Sequence, residues 1–212
     1  MPRKDRVISL FDATTLALDP WLARGYSCWA YDLLHCGHQV RGRLHCVEAD
    51  LDCEQTMLEL VAQHRGRVAF VMAFPPCTDL ASAGAPSWAR KRAEDPVFQA
   101  RAAARAVRCA DLARAVGCDA WMVENPVGLL GKLWRTCDFT FSPCEYGGYL
   151  PKNDTHPLYP KHIPARDAYN KKTCIWHGPG ISGKPPTSAP RHGQITVLYR
   201  RKSSGELIRY SP

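Results

Sequence analysis

Two short runs in this sequence place reactive side chains directly after apolar segments. Residues 68–74 (VAFVMAF) lead into Pro75-Pro76-Cys77, and residues 120–123 (AWMV) lead into Glu124-Asn125-Pro126. Prolines cannot supply ladder donors, so the chain must leave a sheet at Pro75 and hold the Cys77 thiol on a stiff turn. An accessible thiolate is a nucleophile. A carboxyl group at a neighbouring strand end can give or take a proton beside it. One thiol and one acid suit electrophilic activation of a flat heterocycle: sulfur adds to a ring carbon while the acid stabilises a ring nitrogen. For the Pro-Pro-Cys run taken alone, a structural cysteine beside a turn is the plain alternative.

Positioning such groups needs a sheet. Short apolar runs at residues 7–11, 27–31, 44–47, 68–74 and 120–123 have the form of strands buried on both faces. Helices are expected over 15–24, 54–64 and about 96–116, each stopped near a glycine: Gly25, Gly66 and Gly117. This alternation predicts a mostly parallel sheet with right-handed crossovers, whose ligands bind outside the carboxyl ends of the strands. Asp12, Asp32, Asp50, Cys77 and Glu124 all fall at those ends, which points to one site. The second half differs. Residues 143–170 show no periodicity and read as a long ordered loop held by Tyr146, Tyr149, Tyr159 and Tyr169, with strands expected at 172–176 and 195–199 and a connector over 179–190.

Charge divides the chain in the same way. Residues 1–130 hold 15 Lys/Arg and 15 Asp/Glu; the remainder hold 13 and 5, so the whole net charge of +8 lies after residue 130. A neutral half and a basic half suit a catalytic part and a part facing a polyanion, nucleic acid first; on charge alone, a merely soluble basic surface is the equal alternative. Arg101, Arg105 and Arg108 line one side of the 96–116 helix and read as a solvated face. No run of 18 apolar residues exists, so no membrane span is expected, and the chain start reads as neither signal nor transit peptide. A cytoplasmic protein is the default. The ten cysteines then read as reduced thiols. His35, Cys36, His38, His45 and Cys46 cluster in sequence, but their spacing fits no common structural zinc site, and no metal is expected.

Together these motifs resemble the DNA cytosine-5 methyltransferases, most of all the small phage-type members. The resemblance rests on Phe74-Pro75-Pro76-Cys77 within PPCTDLASAGA, on VENPVG (123–128), on YGGY (146–149) and on KKTC-IW (171–176), and it extends over most of residues 7–177. It implies an α/β fold: a Rossmann-like class I methyltransferase sheet with a basic, loop-rich C-terminal part. The cofactor-binding and catalytic core would span 1–130, and residues 131–212 would complete the sheet and contact DNA. It implies that Cys77 attacks C6 of cytosine and Glu124 holds N3 and the exocyclic amine, with Pro75, Pro76 and Asn125 completing the catalytic motifs. It implies S-adenosyl-L-methionine as cofactor, with Phe11, Asp12 and Thr14 in the first turn, Asp32 on the ribose, and Asp50 and Leu51 near the adenine. DNA, through a flipped or single-stranded cytosine, is the implied partner. Lys171, Lys172, Thr173 and Arg191 are the implied contacts, in a bacterial host cell if the chain is phage-encoded.

Two features depart from the family. Its glycine-rich first turn is here Phe11-Asp12-Ala13-Thr14-Thr15-Leu16, and no separate large target-recognition domain is present, so short or relaxed sequence specificity follows. A related enzyme that transfers another group or acts on a free nucleotide, and a non-catalytic methyltransferase-like DNA-binding protein, are the rival readings.

Overall fold

The computed structural model describes residues 3–157, 159–188, 198–200 and 207–209. The chain is a mixed α/β protein that divides into two compact units, residues 1–138 with 174–182, and residues 139–173 with 183–212. Residues 131–138 stay with the first unit because they close on the strand at 173–177. Trp176 Nε1 donates to the Arg135 carbonyl at 2.6 Å, and Asp138 N donates to Ile175 O at 2.8 Å.

The strands are β1 (Arg6–Leu10), β2 (Ser27–Asp32), β3 (His38–Arg41), β4 (Leu44–Glu48), β5 (Val68–Ala73), β6 (Trp121–Pro126), β7 (Phe139–Phe141), β8 (Thr173–His177), β9 (Leu198–Arg200) and β10 (Leu207–Arg209). The helices are α1 (Asp19–Ala23), α2 (Glu54–His64), α3 (Trp88–Glu94), α4 (Phe98–Ala115) and α5 (Leu130–Leu133). In the first unit the sheet runs β3-β4-β2-β1-β5-β6-β8. β1 pairs in parallel with β2 and β5, β2 with β4, and β5 with β6; β3 is an antiparallel edge beside β4. The chain thus steps outward from β1 to β2 and β4, then returns past β1 to β5 and β6. The order reverses at β1.

Strand alternation builds two cores. Ile8, Leu10, Trp29, Tyr31, Val71, Ala73, Trp121 and Val123 point to one face, where Leu60 of α2 and the alanine side of α4 cover them. Val7, Cys28, Ala30 and Met72 point to the other, against Leu18, Trp21 and Leu22 around α1. Trp21 stacks on Phe70 with ring centroids 4.9 Å apart. In place of the helix expected over 15–24 stand a 3-10 turn at Leu16–Leu18 and the short α1, and no helix begins at Thr15, which sits in the left-handed region with φ 62°. Several elements carried no sequence expectation. β3 is exposed at all four positions and has no apolar pattern to read, and α3 presents no buried side chain.

Below the α2-side face lies a buried polar chain. His64 is fully buried. Arg6 Nη1 lies 3.0 Å from its Nδ1 and Tyr31 Oη 2.6 Å from its Nε2. Arginine can only donate, so Nδ1 accepts, the ring proton sits on Nε2, and Nε2–H donates to Tyr31 Oη. Burial first, then the Arg6 charge, push the His64 imidazole down to about 3. The fold refuses a proton that the unfolded chain accepts below its ordinary value near 6.5, so stability is complete above that value and falls as pH drops toward 3. The expected slope is up to about 1.4 kcal/mol per pH unit. Urea unfolding between pH 6.5 and 5 should be steeper in pH for the native chain than for His64→Gln; equal slopes would mean that His64 carries no such linkage.

The second unit is organised by short turns rather than long elements. Three 3-10 turns, Pro143–Glu145, Gly147–Tyr149 and Ala165–Asp167, lie in the expected loop. Tyr146 and Tyr149 anchor it by donating their hydroxyls to the Pro185 and Pro186 carbonyls, and Arg166 donates to the carbonyls of Gly147 and Gly148. The YGGY run is thus the seat of the 184–188 segment. A side chain at Gly148 would overlap the Ser188 backbone. β9 and β10 pair antiparallel, with Tyr199 opposite Ile208. The strand expected at 195–199 is described from Leu198; its first three residues lie outside the described residues.

Candidate active site at the strand ends

Register brings the two reactive runs together. Ala73 of β5 is the partner of Val123 of β6, so Phe74 and Glu124 are the next residues on adjacent parallel strands, both at the carboxyl end. Asn125 follows with its side chain fully buried, and its Nδ2 donates to the Pro75 carbonyl at 3.0 Å. Glu124 alternates to the opposite face from Val123 and Asn125 and is half-buried. The strand includes the Glu-Asn-Pro run itself, which sequence reading set beyond it. The carboxylate is therefore held by a ladder and not by a loop.

The Cys77 loop is fixed at both ends. Pro75 is buried, Pro76 is exposed and Cys77 is half-buried. The Cys77 carbonyl accepts from Leu80 N at 2.9 Å and from Ala81 N at 2.7 Å, closing a turn around the thiol-bearing residue. Leu80 is fully buried. Asp79 pairs with Lys91 of α3, and its carbonyl accepts from Gln99 of α4 at 3.2 Å. The loop then meets the tail of β6. Ala81 bridges Gly128 in antiparallel fashion, and Leu129 N donates to the Leu80 carbonyl at 2.8 Å. In the sequence Gly128 is simply the last residue of the VENPVG run. Its role is steric and becomes visible only when the two loops are brought together.

Across the sheet, the turn after β1 is organised from within. Asp12 is nearly buried, and its carboxylate accepts from Ser9 Oγ at 2.8 Å, Thr14 N at 3.2 Å, Thr14 Oγ1 at 3.1 Å and Thr15 N at 2.8 Å. Phe11 and Thr15 adopt left-handed backbone, φ 57° and 62°, at a cost of about 1–2 kcal/mol each. Asp12 holds a glycine-like turn in a segment, residues 11–16, that contains no glycine, and it consumes the Thr14 and Thr15 N–H groups to do so. Ser9, buried and polar in mid-strand, is the partner that sequence reading missed. His35 Nε2 lies 3.1 Å from the Asp12 carbonyl.

Asp32 ends β2 beside Glu48 of β4, its register partner. Its Oδ1 accepts from Leu34 N at 2.8 Å, and Oδ2 takes none of the described hydrogen bonds. Asp50 is exposed and accepts from Asp52 N at 2.9 Å. Leu51 turns its side chain into the core, 3% exposed, which leaves only its backbone to meet a ligand. Asp52, one residue on, is gripped by Arg105 at 2.8 Å and by Arg108 at 2.5 Å, and these pairs hold its carboxyl below its ordinary range. Arg101 pairs with Asp95. The arginines of α4 are ion-paired on the protein itself. The face is solvent-facing as expected at Arg101 and partly so at Arg105 and Arg108, and the latter two also tether the 50–53 turn to α4 through Asp52.

Lys171 and Lys172 are exposed in the second unit. Thr173 is 3% exposed, and its hydroxyl donates to the Lys171 carbonyl at 3.0 Å, so that side chain serves the local turn. Arg191 lies outside the described residues. Among the described residues, no three His, Cys, Asp or Glu side chains gather as a metal site. His38 and His45 lie 3.2 Å apart nitrogen to nitrogen, with the His45 ring stacked on Trp29 at 3.8 Å. No helix among the described residues is long and apolar enough to cross a membrane.

At the carboxyl ends of β2 and β1 the fold presents a carboxylate oxygen outside the described hydrogen bonds, Asp32 Oδ2, and a tight turn with left-handed backbone at Phe11 and Thr15.

No family model and no curated protein matches the chain. Among solved structures it is similar to the 2.2 Å crystal structure of WbdD, with a TM-score of 0.38 and 9% identity over 81% of this chain and 35% of that one. A medium-resolution structure, described as the bifunctional kinase-methyltransferase WbdD, gives a TM-score of 0.38 at 9% identity over 81% and 34%. The chain spans about a third of the length of those chains. A likeness of this size carries no argument about fold or activity.

Proposed function

We propose that the protein is an S-adenosylmethionine-dependent DNA cytosine-5 methyltransferase on a Rossmann-like sheet. The observation that carries the reading is the Ala73–Val123 register, which sets Glu124 beside the exit to the Cys77 loop. The reversal of strand order at β1 supports it too, since ligands of open α/β sheets sit at such switch points. Asp12, Asp32, Asp50, Cys77 and Glu124 share that carboxyl edge.

In this reading the Cys77 thiolate adds to C6 of the cytosine ring. Glu124 holds N3 and the exocyclic amine and offsets the negative charge that develops in the ring. The half-buried thiol is carried on the loop after β5 and the half-buried acid on β6, and a base stacked inside a duplex reaches neither, so the cytosine must be unstacked. The bound cofactor supplies an electrophilic methyl group to C5. Asp32 orients the cofactor through its ribose, while the Asp12-built turn shapes the wall below it. Solvent water takes the C5 proton, the C5–H electron pair re-forms the C5–C6 double bond, and the Cys77 sulfur departs as thiolate, which restores the site. Lys171 and Lys172, in the half that carries the excess charge, supply phosphate contacts.

Nucleoside mass spectrometry of cytosine-containing DNA incubated with the protein and S-adenosylmethionine tests the reading; 5-methylcytosine is the expected product. Consumption of the Thr14 and Thr15 N–H groups by Asp12 favours a second reading, a related C5 modifier with a different donor or a free-nucleotide substrate. The same measurement on dCMP separates the two. Asp32→Ala should weaken S-adenosylmethionine binding by about 1–3 kcal/mol, the range for losing hydrogen bonds to a charged acceptor. Unchanged affinity by calorimetry would put the ribose elsewhere.

A further inference from the structure

We propose that Gly128 and Asn125 are positioning residues for the Cys77 thiol, locking the loop that carries it onto the tail of β6 so that thiol and Glu124 move as one rigid piece. The inference deepens the methyltransferase reading and rests on it for its catalytic consequence, but its structural content stands apart.

Three contacts join the two segments. The Asn125 amide, fully buried, donates to the Pro75 carbonyl at 3.0 Å. Ala81 bridges Gly128, and Leu129 N donates to the Leu80 carbonyl at 2.8 Å. The first contact lies two residues before Cys77 and the others three and four residues after it, so the thiol-bearing residue is clamped on both sides. Leu80 N and Ala81 N both donate to the Cys77 carbonyl, so displacement of Leu80 or Ala81 passes to Cys77 through two hydrogen bonds.

The Gly128 contact is steric and admits no side chain. A Cβ there would overlap the Leu80 carbonyl oxygen and lie 2.8 Å from its carbon and 2.9 Å from Ala81 Cα. These are backbone atoms and cannot rotate away. The Leu80–Ala81 step must move, and Cys77 with it. Gly131, three residues on in α5, has nothing within 4 Å of its Cβ position and is the matched control.

Cysteines elsewhere in the chain report the result. Cys36 and Cys53 are exposed and set the reference rate of alkylation; Cys28, Cys46, Cys109 and Cys118 are buried and report unfolding. Iodoacetamide labelling, read peptide by peptide by mass spectrometry, gives the Cys77-to-Cys36 rate ratio within one molecule. Gly128→Ala and Asn125→Ala should each change that ratio at least threefold with the buried cysteines still protected, and Gly131→Ala should not. If methyl transfer is the activity, kcat should fall by roughly 10²-fold, the cost of about 1 Å of misplacement, with KM for S-adenosylmethionine unchanged. An unchanged ratio in both folded variants overturns the proposal whatever the activity. Exposure of the buried cysteines in both also overturns it, because the contact would then govern folding and not thiol placement. A changed ratio in a chain whose native form methylates nothing leaves the positioning intact and removes the methyltransferase reading.

Discussion

Cys77→Ser is expected to abolish methyl transfer. A serine hydroxyl near neutral pH is a far weaker nucleophile than a thiol, and no base activating the residue is required of this site when the nucleophile is sulfur. The loop should survive the change, because it is held by the Cys77 carbonyl, by buried Leu80 and by the Asp79–Lys91 pair, none of which involves the thiol. A folded, cofactor-binding but inert protein is therefore the outcome. DNA containing 5-fluorocytosine provides a second readout. Elimination requires the C5 substituent to leave without its bonding pair, as hydrogen does in leaving as a proton and fluorine cannot, so the native protein should stay covalently attached to C6 of the ring, and the serine variant should give no denaturant-resistant adduct. Near-native turnover by Cys77→Ser would remove the thiol from the mechanism.

Glu124→Gln is expected to lower kcat by several orders of magnitude; removing one donor to a developing charge costs about 10²–10³ by itself. Glutamine keeps the shape and can still hydrogen-bond a cytosine edge, but it cannot pass a proton to N3. The loss should therefore fall on kcat, with KM for DNA little changed. Because Glu124 sits inside β6, one residue past the Val123 pairing, the substitution leaves the strand register intact. Normal turnover would mean that ring activation is supplied by another group.

What could be read from the chain in advance followed from local rules. Apolar runs bounded by turn residues marked β1, β2, β4, β5 and β6, and α2 falls at Glu54–His64 as expected, because strand burial and helix stops are written in contiguous residues. The gathering of Asp12, Asp32, Asp50, Cys77 and Glu124 at one sheet edge also followed, since parallel crossovers bring carboxyl ends together wherever they occur. Other features depend on contacts between residues far apart in sequence, and these only the tertiary structure decided. The edge strand β3 has four exposed residues and exists by pairing with β4. Asp12 is read from sequence as a ligand-facing acid, but in the fold its carboxylate builds its own turn through Ser9, Thr14 and Thr15. Leu51 and Thr173 turn inward, and Arg105 and Arg108 find Asp52 more than fifty residues away. Gly128 has no local reason to be glycine; the Leu80 backbone, delivered by a separate crossover, supplies it. Periodicity and turn chemistry are properties of neighbours along the chain. Whether a polar group serves a ligand or the fold is set by which donors and acceptors packing brings within about 3 Å, and a single sequence does not encode that distance locally.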